Sequence, residues 1–230
     1  MKGIHAVFIF YHYEVVKRLW CARKEKMKKP IFGKTLWPYL LFLTLPLYIA
    51  DQATKWWTVL NLESPFIEVG DELFFNQVDG FPVIEGFFNW VRIHNSGVAW
   101  GVGNGSDWAP FVFTGVLVLA LVGISLLWKR GFFGEGVSRF SPPLILCGAA
   151  GNLTDRLFQG FQLQNMQGES FLDCLRAGYV VDFLDFTIPI INYRYPTFNI
   201  ADSCICVGAG LMVLSMILEA KAEKQKKADC

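Results

Sequence analysis

Two aspartates carry the chemistry in this chain: Asp182, in GYVVDFLDF, and Asp202, in PTFNIADS, twenty positions apart. Both stand where strongly apolar sequence turns polar. An acid in hydrocarbon costs about 2.5–3.5 kcal/mol at a helix centre on insertion scales, so such residues persist where they are paired or line a wet site. Two carboxyl groups facing one cavity share a proton, because like charges in contact do not both ionise. One can act as general base on a water while the other donates a proton, which is the chemistry of acid–base hydrolysis by an aspartate pair. The same residue types equally suit a proton-coupled membrane transporter, although that class seats its acids near the midplane between structural repeats, and no internal repeat is visible.

Other polar residues cluster around this pair in sequence. Asn152, Asp155 and Arg156 in GAAGNLTDR fall at i, i+3 and i+4 and share one helix face. Two readings stay open: an Asp155–Arg156 pair that fixes helix packing, or Arg156 and Asn152 aimed into a polar cavity. Asn199 precedes Asp202 by three positions at the start of an apolar run, where it is an N-cap candidate. Asp202 in that first turn is favoured in its ionised form by about 0.3–1 kcal/mol, which leaves Asp182 to carry the shared proton. Asp185 is a rival acid. Asp51 and Lys55 make an i, i+4 pair in the favourable order, read as an anchor for the end of the first helix. His94 is read as a lone histidine in an outer loop with no Ser or Cys placed beside it. The six cysteines show neither C-x-x-C pairs nor partnered His spacing, so no metal, no cofactor and no disulfide framework is expected; Cys147, Cys204 and Cys206 read as small hydrophobes in apolar helices. No phosphate-binding loop or basic–aromatic patch points to nucleic acid.

The elements that position these residues follow from hydropathy. The chain has 230 residues and is 53% hydrophobic, above the ~45–50% usual for soluble domains. Four apolar stretches read as membrane spans: Leu36–Ala50 continuing through DQATKWW, Trp108–Trp128, Pro142–Phe158 after a capping Ser141, and Ile200–Leu218. The first and third are short in purely apolar residues, so their polar ends face the interface or other helices. The first 35 residues hold nine Lys/Arg against two acids, whereas Thr58–Asp107 holds seven acids and only Arg92 as a base. This asymmetry puts both termini and the Lys129/Arg130/Arg139 turn on the cytoplasmic side. The expected architecture is mainly α: four transmembrane helices with a small β-rich periplasmic cradle between helices 1 and 2, its strands in LFFNQV and FFNWVRI and its turns in VDGFP and GNGSD. By domain, residues 1–35 form a basic cytoplasmic extension, 36–220 the four-helix domain with its β segment at 58–107, and 221–230 a basic tail. The chain lacks the small-x-small pattern that would mark cleavage after Ala50, and Met27 would serve as well as Met1 for a start.

Taken together, DQATK, NSGVAWG, GAAGNLTDR, GYVVDF and FNIADS resemble, in order and context, the motifs of the lipoprotein (type II) signal peptidases over about residues 36–220. The resemblance implies a monomeric aspartic endopeptidase of the bacterial inner membrane with its site at the periplasmic face. By the same resemblance it is expected to remove signal peptides from prolipoproteins before a diacylglyceryl-modified cysteine, in contact with membrane lipids, and to be blocked by globomycin-type cyclic peptides. Carried over by motif, Asp182 and Asp202 are the catalytic pair, with Asn152, Asp155, Arg156 and Asn199 as polar supports. Asp51 and Lys55 match the first motif; Asn95, Gly97 and Ala99 match that of the cradle over the substrate site. One departure stands out: residues 158–177, FQGFQLQNMQGESFLDCLRA, intervene where the family's segments follow closely. An insertion there is expected to act as a second flap or to narrow substrate entry.

Overall fold

The computed structural model describes residues 35–69, 72–75, 77–97, 108–133, 136–163 and 166–229. The basic residues up to 34, the GNGSD turn and Ala99 lie outside them. Residues Leu36–Val213 form one compact unit; the described residues of a second are Thr35 and those of the last helix from Leu214.

The first helix begins as Trp37–Tyr39, passes through a π-helical turn at Leu40–Thr44, and continues as α1, Leu45–Asn61. Helix α2 is Ala109–Lys129, α3 is Ser141–Phe158, α4 is the short Phe171–Arg176, and α5 is Ile200–Asp229. Helix α2 starts with Pro110 in its first turn and stops at Gly131, whose φ of 71° no side chain favours. There the Phe132 and Gly131 N–H groups return to the Leu127 and Trp128 carbonyls, and Lys129 and Arg130 complement the negative helix end. Among the described helices, α2 and the Ile200–Lys226 part of α5 are long and apolar enough to cross a membrane, with mean hydropathies of 2.5 and 2.0. Helix α1 misses that mark in length, at 17 residues, and α3 in hydropathy; each carries a polar face, and those faces meet. Ser141 is the first residue of α3 rather than its cap: a 3-10 turn at Gly136–Phe140 runs into the helix in helical geometry, leaving no extended residue to cap it.

Strands β1 (Phe66–Val69) and β2 (Glu72–Phe75) pair as a hairpin. A second, antiparallel sheet has the order β3-β4-β5-β6, from Gly80–Ile84, Phe88–Asn95, Val180–Ile188 and Tyr193–Arg194. The cradle is therefore not built from residues 58–107 alone. The GYVVDFLDF segment joins it as β5, in a register that sets Asp182 opposite Ile93 and Val180 opposite Asn95, with a bulge between Trp90 and Ile93. Likewise Gly80–Pro82 of VDGFP lies in β3, and the turn comes later, at 85–87. The sheet is fastened to α1 by Trp90, whose Nε1 donates to Thr58 Oγ1 at 2.9 Å and whose ring stacks on Phe183. Arg92 adds two bonds, from Nη1 to the Val59 and Leu62 carbonyls at the carboxyl end of α1.

The helices are joined by a buried ionic cluster. Lys55 Nζ lies 2.9 Å from Asp51 Oδ2 and 3.0 Å from Asp155 Oδ2, and donates to Asn152 Oδ1 at 3.0 Å. Asp51 Oδ1 accepts the Ala201 N–H in the first turn of α5 (2.8 Å), and Asp155 Oδ2 accepts the Val181 N–H (3.0 Å). The Asp51–Lys55 pair thus joins three helices rather than anchoring the end of one. Gly151 permits this closeness, since a Cβ there would stand 2.5 Å from Asp51 Oδ2. Asp155 pairs with Lys55 and not with Arg156, which settles that helix-packing alternative. Beside the cluster, Cys147 and Cys204 pack with Leu144 as free, buried thiols, whereas Cys206 is exposed.

Removing the one cation that Asp51 and Asp155 share leaves two carboxyl groups enclosed without compensation. Lys55→Met is expected to destabilise the protein by about 3–5 kcal/mol, read as a lower unfolding midpoint in detergent, and adding Asp155→Asn recovers part of that loss.

Candidate active site

The site forms where β5 meets the start of α5. Asp182 sits on β5, almost fully buried, and its two oxygens are held separately: Oδ2 accepts from Asn95 Nδ2 at 2.9 Å and Oδ1 from Asn199 Nδ2 at 2.8 Å. Asp202, half-buried, lies in the first turn of α5, where Oδ1 accepts from Asn152 Nδ2 at 2.7 Å. The expected cap is present in reciprocal form. Asn199 Oδ1 accepts the Asp202 N–H at 2.9 Å, while Asp202 Oδ2 accepts the Asn199 N–H at 3.3 Å.

Asn199 therefore does two things at once, starting α5 and holding Asp182. Its Nδ2 also reaches Asn152 Oδ1 at 3.2 Å, so a continuous run of bonds leads from Asp182 through Asn199 and Asn152 to Asp202. Burial raises the Asp182 carboxyl well above the usual carboxylate range, the nearby Asp202 charge raises it further, and bonds from Asn95 and Asn199 partly offset both.

Arg156 closes the site from the α3 side. Its Nη1 donates to the Ser96 carbonyl at 3.1 Å and its Nη2 to the Gly97 carbonyl, and the guanidinium lies 5.5 Å over the Phe113 ring. The Gly97 N–H in turn donates to Asn95 Oδ1 at 3.1 Å. Arg156 thus fixes the segment that follows β4, and through it the side chain that bonds Asp182. Asp51, Lys55 and Asp155 stand behind the asparagines and reach the pair through Asn152.

Asp185 is separated from the pair. Three positions along β5 put it on the opposite sheet face, where Arg194 grips it at 2.7 and 3.0 Å and Asn89 donates at 3.0 Å. His94 lies in strand β4 rather than a loop. It is buried, stacks on Tyr179 and accepts from Arg92 Nε at 3.1 Å; burial first, and the Arg92 charge second, push it down to about 3, so it stays neutral. One supporting side chain escaped the sequence reading. Gln52 Nε2 donates to Asp51, the Gly151 carbonyl and Asp155 at 3.1–3.3 Å, and its position inside DQATK was the available signal.

Comparison with known proteins identifies the family and the fold. The family model for signal peptidase (SPase) II matches residues 43–218. Lipoprotein signal peptidases of Bacillus pumilus and Serratia marcescens are 35% and 33% identical over 175 and 202 residues, covering 76% and 86% of this chain and 90% and 97% of theirs. Two bacterial membrane enzymes solved by the in meso method, at 2.3 and 1.9 Å, superpose with TM-scores of 0.56 and 0.51. They share 24% and 25% identity and cover 79% and 77% of this chain and 88% and 91% of theirs, which supports the fold. With the matched region running from α1 well into α5, this chain belongs to the signal peptidase II family of peptidases.

Proposed function

We propose that this chain is a membrane aspartic endopeptidase that removes signal peptides from diacylglyceryl-modified prolipoproteins, cutting before the lipidated cysteine, with Asp182 and Asp202 as the catalytic pair. The observation that carries the reading is the asparagine-bridged pairing of two carboxyl groups from distant parts of the chain. In this reading four helices cross the bacterial cell membrane, both termini and the basic residues 1–35 and 221–230 are cytoplasmic, and the cradle lies at the outer face. Nothing in the family or the site favours a transporter.

The chemistry follows from the placement. Asp202, at the positive end of α5, holds the negative charge. Asp182, raised by burial, holds the shared proton. A water between them attacks the scissile carbonyl carbon, giving one proton to Asp202 as Asp182 protonates the carbonyl oxygen. The tetrahedral intermediate collapses as Asp202 passes its proton to the leaving amide nitrogen and the C–N bond breaks. Loss of the intermediate's hydroxyl proton to Asp182 forms the new carboxyl group and restores the singly protonated pair. Asn95 and Asn199 fix both oxygens of Asp182, so the proton faces a defined direction. Acyl chains on the substrate contribute about 0.8 kcal/mol per buried CH₂, enough to hold the cleavage point at the outer interface where water meets the pair.

Four outcomes test this. Purified protein incubated with a diacylglyceryl-modified precursor and with its unlipidated counterpart is expected to release product only from the former; equal cleavage of both would overturn the substrate class. Asp182→Asn and Asp202→Asn are each expected to lower kcat by about 10²–10⁴-fold with the protein still folded and inserted. Because the Asp182 carboxyl is raised, activity should persist above the pH at which an ordinary aspartate ionises and fall as the shared proton is lost. Asn95→Ala removes a bond that favours the ionised form, so the alkaline limb of the pH–kcat profile should move to higher pH.

A further inference from the structure

The described residues of the 158–177 insertion are folded. A 3-10 turn at Gln159–Gln162 continues from α3, and α4 follows with Ser170 as its N-cap, accepting the Asp173 N–H. Gly160 packs so closely on the Cys174 carbonyl that no side chain would fit there. Cys174 is buried, its Sγ directed to the Met166 carbonyl at 3.7 Å. Yet the large apolar side chains of this element face outward: Phe158, Phe161, Phe171 and Leu172 are 56%, 42%, 58% and 64% exposed, with the Phe161 and Phe171 rings 5.9 Å apart. A surface loop in water does not present such a cluster from a rigid frame without a partner to cover it.

The surroundings of the insertion say what covers it. Helix α4 packs against both α3 and α2. The Arg156–Phe113 contact places the amino-terminal part of α2 beside the carboxyl end of α3, where the insertion departs. An 18-residue stretch of α2 has a mean hydropathy of 2.5, and none of that stretch is buried within the protein; Val112, Val116 and Leu119 point outward at 48%, 53% and 72% exposure. Only hydrocarbon suits such a helix. Helix α4, which carries the exposed Phe171 and Leu172, packs on that same helix, so the apolar cluster of the insertion stands next to its apolar surface.

We propose that residues 158–177 form a membrane-seated element whose Phe161–Phe171–Leu172 face is immersed in the acyl layer of the bilayer beside α2. It rests on the proposed membrane placement of α2 and goes beyond it. The insertion then holds to lipid instead of hanging over the site as a water-exposed flap, and it widens the lipid-contacting surface next to the segment that Arg156 fixes.

The test uses the full chain in vesicles of phosphatidylethanolamine and phosphatidylglycerol, with a benzophenone-bearing phenylalanine introduced singly at Phe161, Phe171, Leu119 and Glu169. After irradiation, mass spectrometry reads the fraction carrying a phospholipid adduct. Adducts at Phe161 and Phe171 comparable to those at Leu119, and several-fold above those at Glu169, are expected. Labelling at Phe161 and Phe171 no higher than at Glu169, with Leu119 well labelled, overturns the proposal and leaves the membrane reading intact. Cross-links at Phe171 to a second copy of the chain in place of lipid also overturn it. Absence of lipid adducts at Leu119 itself overturns the membrane placement of α2, and the proposal with it.

Discussion

An ammonium group enclosed by helices constrains everything else in this molecule. Lys55 is fully buried, and removing such an ion from water costs several kcal/mol unless each N–H finds a partner. Asp51, Asp155 and Asn152 are those partners. Each then makes a second bond outward: Asp51 to the backbone of α5 at Ala201, Asp155 to the backbone of β5 at Val181, and Asn152 to the Asp202 carboxyl. The two backbone segments held this way are the ones that carry Asp182 and Asp202. No member of the network can move far without stranding a buried donor or acceptor, and that cost keeps the arrangement unique.

Asparagine suits the links between charges because its amide both donates and accepts. Asn152 accepts from Lys55 and Asn199 and donates to Asp202; Asn199 accepts the Asp202 N–H and donates to Asp182. A carboxylate in either place would add a further negative charge beside two acids that already oppose each other. An alanine at 199 would take a partner from Asp182 Oδ1 and from the Asp202 N–H, and one at 152 would take a partner from Asp202 Oδ1 and from Lys55 Nζ. Neutral, two-sided links hold both carboxyl groups in place without adding charge beside them.

Local features of the site were legible in the sequence, and long-range ones were not. The Asn-x-x-Asp spacing at 199–202 identified the cap, and the periodicity of 152, 155 and 156 put those residues on one helix face, because both depend only on neighbours in the chain. The partner of Asp155 was not legible, since Lys55 lies a hundred positions away and Arg156 offered a nearer charge. Nor was the pairing of β5 with β4, which joins segments on either side of three helices. Asp185 was excluded by strand parity, a signal available only once GYVVDFLDF is read as a strand. Burial of His94 came from the same strand pairing, which closed over a residue that looked like part of a loop.

Helix α1 carries neither aspartate of the pair, yet it sets the position of both. Its middle, through Asp51 and Lys55, grips the start of α5 and, through Asn152, Asp202. Its carboxyl end, through Thr58 and the carbonyls of Val59 and Leu62, grips Trp90 and Arg92 of β4. That strand leads directly to Asn95, and Asn95 holds Asp182. About two helical turns of α1 thus span the distance between the supports of the two carboxyl groups. A helix with continuous backbone bonding is stiff over that length, so strand and helix are referred to one common rod even though their own sequence separation would let them drift. The polar face of α1, which keeps it from reading as a simple apolar span, is what makes it such a rod.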